Sequence, residues 1–417
     1  MRVVRFLKFN IFIFLCQMVL VAVLVVGCQS STHISNNIQL TNGTIPNLTN
    51  NTTQGCVQTY NQQADYFPEK ASINYAKGFE VEYQKNYKLV TVKNPWRNAN
   101  TTFQYVLVQC GTSIPKEFKN TQIIQVPVNT IVSLSTTHLP HLDKLGVVDK
   151  LIGISNRKKV NTTSVVEKIK AGQLVEVGSD TSLKVEKILE LNPDLVTTFG
   201  VGNTAIDSYP KLLEVGLKVA INAEYMESSP LGRAEWLKFT ALFFNREAKA
   251  EKEFAEIAQQ YQAISTKAKS VTNRPTVFLG FNFKGTWYTP GGNSYVAKFL
   301  EDAGANYLWK EEKASNTLPL SFEKVFEKAA NADYWLNGSQ SWKTRKDLLT
   351  EDNRYAEFKA VKNHNLYNNN ARLNPTGGND YWESGISNPH LILSDLIKIL
   401  HPEIPSDRQL KYYRKLS

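Results

Sequence analysis

"SSPLGRAEWLKFTALFFNREAKAEKEFAEIAQQYQAISTKAK", residues 228–269, is the most regular stretch of the chain and the one on which the architecture turns. Ser229 followed by Pro230 is a helix-start signal: a hydroxyl can cap the first turn, and proline at the first helical position gives up an amide that has no partner there. Leu237, Ala241, Phe244, Ala248, Phe254, Ile257, Tyr261 and Ile264 then keep close to the three-and-four spacing of a helix face. Read as one unbroken helix of roughly 35 residues, the stretch spans about 50 Å, enough to bridge two domains.

On both sides of it, helix-like and strand-like segments alternate. "SLSTTHLPHLDKLGVVDKLIGIS" reads as strand end, helix and strand, and "LKVEKILELNPDLVTTF" as helix then strand. After Pro275 the alternation restarts with "TVFLGFNF" and "TPGGNSYVAKFLEDAGA" and closes on the helical "NPHLILSDLIKILHPE". This is α/β order, which implies mainly parallel sheets covered by helices. One sentence is also written twice: "SLKVEKILELNPDLVTTF" (182–199) is echoed by "LSFEKVFEKAANADYWL" (320–336). The expected organisation is an N-terminal α/β lobe over 79–228, a connecting helix over 229–269 and a C-terminal α/β lobe over 270–417.

The chain has 417 residues, 42% of them hydrophobic and 21% charged, which is ordinary for a globular protein with a core in each half. Its formal charge of +10 comes from Lys and Arg scattered through helix-like segments, a pattern that argues against nucleic acid as a partner. "MRVVRFLKFNIFIFLCQMVLVAVLVVGCQSS" opens with Arg2, Arg5 and Lys8, continues as an apolar run from Ile11, and reaches small residues near Gly27, the layout of an export signal. Val25-Val26-Gly27-Cys28 resembles the lipobox of bacterial lipoproteins, which makes 1–27 a lipoprotein signal peptide and Cys28 the lipidated residue. The alternative is an uncleaved anchor, since the apolar run reaches the minimal spanning length. Either way the bulk of the protein lies outside the cytoplasm. Cys56 and Cys110 remain as an even pair, expected to form a disulfide in an oxidising compartment, with two buried thiols as the alternative.

Residues 28–78 begin with an Asn/Thr/Ser-rich run that is poor in large apolar groups, and they read as a flexible tether. Asn-x-Thr sequons at Asn42, Asn47, Asn50 and Asn51 leave glycosylation as a minor alternative. From about 79, "FEVEYQKNYKLVTVKN", "FQYVLVQC" and "TQIIQVPV" alternate as strands.

The chain carries neither a Gly-x-x-x-x-Gly-Lys nor a Gly-x-Gly-x-x-Gly loop, no Gly-x-Ser-x-Gly elbow and no His-Glu-x-x-His. "TPGGNS" and "PTGGND" are turns whose glycines supply positive φ. His138 and His141 lie three apart, but Pro140 between them and the lack of a nearby carboxylate or thiolate ligand argue against a metal site. No nucleophile with a base appears, so an enzyme is not expected, and neither is a cofactor.

What the chain offers is aromatic and polar residues in loops after strands, where open α/β sheets bind ligands. The candidates are Thr136, Thr137 and His138; Phe199; Glu224 and Tyr225; Arg233 and Trp236 at the start of the connecting helix; Trp287 and Tyr288; and Arg372, Tyr381 and Trp382. Aromatic rings with a few cations suit a bulky, partly anionic small molecule. For each aromatic taken alone, a place in a lobe core is an equally good reading.

With the lipobox, "NYKLVTVKNPW", the strand and helix from Val132 to Ser155, "VEKILELNPDLVTTF", "TWYTPGGNSYVAKFLEDAGANYLW", "PLSFEKVFEKAANADYWL" and "YWESGISNPHLILSDLIKIL" taken in order, the chain resembles the substrate-binding proteins of ABC importers for iron-siderophore complexes, haem and cobalamin. The resemblance covers roughly 86–402. It implies two α/β lobes joined by one long rigid helix, a metal chelate held in the cleft between them, and a monomer that closes little. It also implies that an exposed Glu at a helix start in each lobe docks onto arginines of a dimeric permease. The matching residues are Glu186 in "LKVEKIL" and Glu323 in "LSFEKVF", which would explain the echo; a generic Glu in the first helical turn is the alternative. The cysteine-bearing N-terminal extension departs from the family. Among cargoes, iron-siderophore is favoured by the net positive chain with Arg233 and Arg372, cobalamin comes second on the aromatic candidates, and haem third with His138 or Tyr288 as ligands.

Overall fold

The computed structural model describes residues 52–53, 55–118 and 121–417. The expected signal peptide (1–27) and the lipidation site Cys28 lie outside the described residues. In the N-terminal lobe the central sheet runs, edge to edge, Val219–Ile221, Leu195–Thr198, Ile131–Ser133, Leu151–Ile154 and Val175–Glu176, all parallel. Ile131–Ser133 comes first in the chain yet stands in the middle, so the connections wind away from it in both directions. The carboxyl edge beside it is a switch point, the place where such sheets open a crevice.

The C-terminal lobe repeats the plan with the order Asn306–Tyr307, Thr276–Leu279, Tyr334–Leu336, Leu366–Asn368 and Arg414–Lys415, only the last pair being antiparallel. The protein is thus α/β with mainly parallel sheets in two lobes. The echoed sentence takes equivalent places in both. Val185–Leu191 is a helix leading into the strand Leu195–Thr198, and Phe322–Ala329 a helix leading, after a short turn, into the strand Tyr334–Leu336. Each of these strands pairs in parallel with the first strand of its own sheet. Each lobe also carries an accessory sheet: Phe79–Tyr83, Tyr87–Lys93, Thr102–Gln109 and Gln122–Val126 in the first, and the antiparallel Phe281–Phe283, Thr286–Pro290 and Thr317–Leu320 in the second.

The connecting helix is not continuous. It is two helices, Pro230–Leu242 and Glu247–Lys269, broken where Asn245 takes a left-handed backbone, φ 51°. The cause is a buried lysine from a distant strand. Lys88 Nζ donates to Leu242 O (2.6 Å), a carbonyl at the end of the first helix, to Asn245 Oδ1 (2.8 Å) and to Glu247 Oε1 (2.6 Å). Those bonds hold the break open as a charged knot, with Lys88 also over the Phe67 ring at 4.5 Å. All 13 residues of the first helix are buried, so its regular spacing reflects cover on every side and not one apolar stripe.

Part of that cover is the segment expected to be a loose tether. From Gly55 onward it is ordered. Cys56 and Cys110 are joined as a disulfide, and Val57 N donates to Cys110 O at 2.9 Å. Tyr66, Phe67 and Ala71 are buried. Carboxylates of the connecting helices and the turn before them then take the backbone amides in succession. Ser72 N donates to Glu251, Tyr75 N and Ala76 N to Glu235 Oε2 (2.6 and 2.7 Å), and Lys77 N and Gly78 N to Glu227 Oε1 (2.9 and 2.8 Å). A segment with few apolar residues is held by charge-assisted hydrogen bonds that its own composition does not announce.

Candidate functional site

The site forms where the carboxyl end of Val219–Ile221 and the start of the connecting helix meet the accessory sheet and the helix Tyr295–Asp302 of the second lobe. After Ile131–Ser133 the chain enters a single 3-10 turn, Thr136–His138, capped by Ser135, whose Oγ accepts from Thr137 N at 3.3 Å. The helix Leu139–Leu145 follows, with Pro140 in its first turn. After Val219–Ile221 comes the turn Glu224–Met226, and the connecting helix starts at Pro230. These three elements converge on a buried ion pair, Arg233 Nε to Glu224 Oε2, in which the carboxylate also accepts from the Thr137 hydroxyl. Burial alone would raise the Glu224 carboxyl, but Arg233, Thr137 and His138 together hold it below the usual carboxylate range.

His138 sits beside this pair with Nδ1 unpartnered among the described residues, and burial pushes its pKa down to about 4 despite the attraction of Glu224. His141 Nδ1 contacts Thr240 Oγ1 at 3.1 Å, Nε2 has no partner among the described residues, and burial takes its pKa to about 3. Both rings are therefore neutral donors or acceptors at ordinary pH. Among the described residues no group of three or more His, Cys, Asp or Glu side chains is placed to hold a metal ion.

Arg233 reaches across to the other lobe. Its guanidinium lies 4.9 Å from the ring centre of Tyr295, the first residue of the helix Tyr295–Asp302, which Ser294 caps. A desolvated cation over an aromatic face is a favourable contact, about 2 kcal/mol. The Tyr295 hydroxyl is buried and unpartnered among the described residues. In front of this chain, Glu224 to Arg233 to Tyr295, lies a cavity of about 410 Å³ whose wall includes Arg97, Tyr225, Arg233, Tyr295, Thr317 and Trp382. It takes residues from both lobes and from the connecting helix, and its size suits a small-molecule ligand. Two larger hollows, about 650 Å³ beside the helix break and about 600 Å³ between Arg274 and Glu311, lie away from this gap. The second is lined by one lobe alone, and neither gathers aromatic and cationic groups from both lobes, so the smaller cavity is the better candidate site.

Of the residues singled out from sequence, Tyr225, Arg233 and Trp382 stand in the cavity wall. Tyr225 is fixed there by its hydroxyl, which donates to Gly200 O at 2.6 Å, and Phe199 packs edge-on against its ring at 6.5 Å. Thr137 and His138 lie behind the wall as supports of Glu224. Trp236 does not line the gap: it is in the N-terminal core against Phe79, with Nε1 donating to Glu227 Oε1 at 3.1 Å. Trp287 is equally enclosed, in the C-terminal core against Trp335, with Nε1 donating to Leu279 O at 2.9 Å. Tyr381 is buried against Tyr412 and Tyr413. Tyr288 is exposed on the accessory hairpin opposite Pro319, and Arg372 is held by Asp380 at 2.5 Å. Residues at strand ends cannot by themselves announce whether their neighbours will be solvent or the next helix.

Two wall residues escaped the sequence reading. Arg97 follows the strand Tyr87–Lys93 in "NPWR", so the rule of loops after strands would have found it. Tyr295 follows a capping serine in "GGNSY", a helix-start signal that carries an aromatic ring. Glu186 and Glu323 are both exposed in the first turns of their helices. The Glu323 carboxyl is lowered by its own backbone amide and by the Ser321 hydroxyl, and it stands 3.9 Å from Arg354.

A profile of the family described as "Periplasmic binding protein" matches residues 131–373, more than half of the chain, with all of the first central sheet and all but the last strand of the second. The chain belongs to the periplasmic binding protein family. An uncharacterized lipoprotein of Methanocaldococcus jannaschii is 28% identical over 364 residues, covering 82% of this chain and 85% of that protein. Among solved structures, "a possible an iron-binding (periplasmic solute-binding) protein" from Staphylococcus epidermidis superposes with a TM-score of 0.54 at 17% identity, covering 66% of this chain and 99% of that one. A periplasmic heme binding protein from Pseudomonas aeruginosa gives 0.52 at 20% identity, covering 70% and 98%. These two likenesses are likenesses of fold.

Proposed function

We propose that this periplasmic binding protein is a lipid-anchored, extracytoplasmic component of an ABC importer that captures a metal chelate, with an iron-siderophore complex as the preferred cargo, and hands it to a dimeric permease. The observation that carries the reading is the interlobe cavity of about 410 Å³, walled by tyrosines, a tryptophan and arginines from both lobes. The basis for an anionic cargo moves from the residues first chosen for it. Arg233 and Arg372 are each paired with a carboxylate, whereas Arg97 is exposed at the cavity and makes no ion pair among the described residues. An anionic chelate would meet Arg97 first, then the phenol of Tyr295.

The lipoprotein naming of the relative and the lipobox at Cys28 support the anchor. Among the described residues no helix is long and apolar enough to cross a membrane. Glu186 and Glu323, exposed at equivalent helix starts, are the proposed permease contacts, each by a charge-assisted bond to an arginine. The protein works by binding and release, as a monomer and without turnover. A flat macrocycle, cobalamin or haem, is the second reading, favoured by the aromatic surfaces of Tyr225, Tyr295 and Trp382.

The test is tryptophan fluorescence of the chain from residue 29 onward, titrated separately with ferric siderophores, cyanocobalamin and haem. Trp382 is the one tryptophan of seven in the cavity wall, so a Trp382→Phe variant should lose most of the quenching. Saturable quenching by ferric siderophore that weakens in Arg97→Ala is the expected result. Flat titrations with all three would end the chelate reading.

A further inference from the structure

The connecting helices are not the only tie between the lobes. Residues Lys158–Thr162 of the N-terminal lobe, between the strand Leu151–Ile154 and the helix Thr163–Lys170, meet residues Asn374–Glu383 of the C-terminal lobe. Glu383 is 1% exposed, and among the described residues the hydrogen bonds to its carboxylate come from the opposite lobe. Oε1 accepts from Thr162 N (2.7 Å) and Thr162 Oγ1 (2.6 Å); Oε2 accepts from Asn161 N (2.8 Å) and Asn161 Nδ2 (3.2 Å). The helix Thr163–Lys170 has no side-chain cap of its own from Thr162, so a carboxylate of the other lobe occupies its N-terminus.

A second set of bonds lies alongside. Asn374 Nδ2 donates to Lys158 O and Val160 O, both at 3.1 Å, while its Oδ1 holds its own loop by accepting from Thr376 N (3.1 Å) and Gly378 N (2.8 Å). Thr376 Oγ1 donates to Lys158 O, and Lys159 Nζ to Thr376 O at 3.4 Å. The fit is close enough that a Cβ on Gly378 would lie 2.3 Å from Lys159 O. The same turn carries the cavity wall, because Trp382 immediately precedes Glu383 and the turn Asp380–Trp382 is capped by Asn379.

We propose that Glu383 and Asn374 form a clasp that sets the width of the interlobe cleft, acting as positioning residues for whatever the cleft holds. With the bonds made, the lobes keep this separation and Trp382 stands in the wall. With them released, the lobes are tied, among the described residues, through the connecting helices and the packing around them, and the mouth widens. A ligand bridging the walls favours the clasped arrangement, so release of the clasp lowers affinity without touching a ligand contact.

The experiment is single-molecule energy transfer on the full chain in detergent. Dyes are attached through p-azidophenylalanine at the exposed positions Lys170 and Lys346, one in each lobe, with no ligand present. Glu383→Ala and Asn374→Ala should each raise the population of wide-separation molecules about tenfold, and Thr376→Ala, which removes one hydroxyl, should raise it less. Transfer histograms that coincide with the parent chain in Glu383→Ala and Asn374→Ala would overturn the clasp. If Glu383→Ala does not fold, Asn374→Ala and Thr376→Ala, both in a surface loop, decide by the same criterion. Because no ligand is used, failure here leaves the chelate reading standing, and failed titrations leave this one standing.

Discussion

The two lobes share a plan and differ in what fills them. The N-terminal lobe and the connecting helices packed on it bury charge: Lys88 with Glu247, Lys238 with Glu235, and Glu224 with Arg233 all have side chains exposed by a tenth or less. The C-terminal lobe is centred on rings. Phe278 lies 4.9 Å from Trp335 and 5.0 Å from Phe358, and Trp287 lies 5.3 Å from Trp335. The aromatic lobe gains its cohesion from area and dispersion, which any ring of similar size supplies in part. The charged lobe gains specificity of path: Lys88 decides where the helix breaks, and Glu235 decides where the entering chain lies.

That difference can be broken first at its largest member. Lys88→Ala leaves Glu247 buried without its partner, and a loss of about 3–5 kcal/mol in chemical denaturation is expected. Replacing both partners, Lys88→Met with Glu247→Leu, should recover the part of that loss due to the stranded charge, while Leu242 O and Asn245 Oδ1 still lose their donor. Trp335→Ala should cost a similar amount, about 3–5 kcal/mol, through the cavity it leaves. Here no second substitution restores the lost volume. No recovery in the first lobe would abolish the contrast.

The same contrast explains what could be read without coordinates. The α/β alternation, the two-lobe plan and the echoed helix-strand units were legible because each depends on neighbours within a few residues. The helix break was not, since its cause is Lys88, more than 150 residues before the gap it holds. The order of residues 55–78 was hidden for the same reason: its amides are taken by Glu227, Glu235 and Glu251, far along the chain. Trp236 and Trp287 were misplaced because "aromatic after a strand" fits a cavity wall and a core equally well, and only the packing partner decides.

Acid should separate the buried groups by sign. His138 and His141 have folded pKa values of about 4 and about 3 against an ordinary value of 6.5. For a base with a depressed folded value the unfolded chain binds more protons, so stability is full above pH 6.5 and falls as pH drops toward the folded values. The slope is about 1.4 kcal/mol per pH unit for each ring. Glu383 has the opposite sense: burial raises its carboxyl above the ordinary range, so its contribution is largest at low pH and declines as pH rises through the folded value. Denaturation of the parent chain, His141→Gln and Glu383→Gln from about pH 3 to about pH 7 should show a shallower acid loss in His141→Gln and a steeper one in Glu383→Gln. Parallel curves would mean that neither interior senses protons as its burial requires.

The smallest effect bears on the echo itself. The helix Phe322–Ala329 is capped by Ser321, whose Oγ accepts from Lys324 N at 3.3 Å, whereas at the same position before Val185–Leu191 stands Lys184, which makes no side-chain cap. Ser321→Ala should therefore cost about 1 kcal/mol, and Lys184→Ala close to nothing. The Ser321 hydroxyl also helps hold the Glu323 carboxyl in its charged form. If these carboxylates dock on a permease, Ser321→Ala should weaken the C-terminal contact more than Lys184→Ala weakens the N-terminal one, read as import rate in a strain dependent on this chain. Equal small losses at both ends would reduce the repeated sentence to a shared way of leading a helix into a strand.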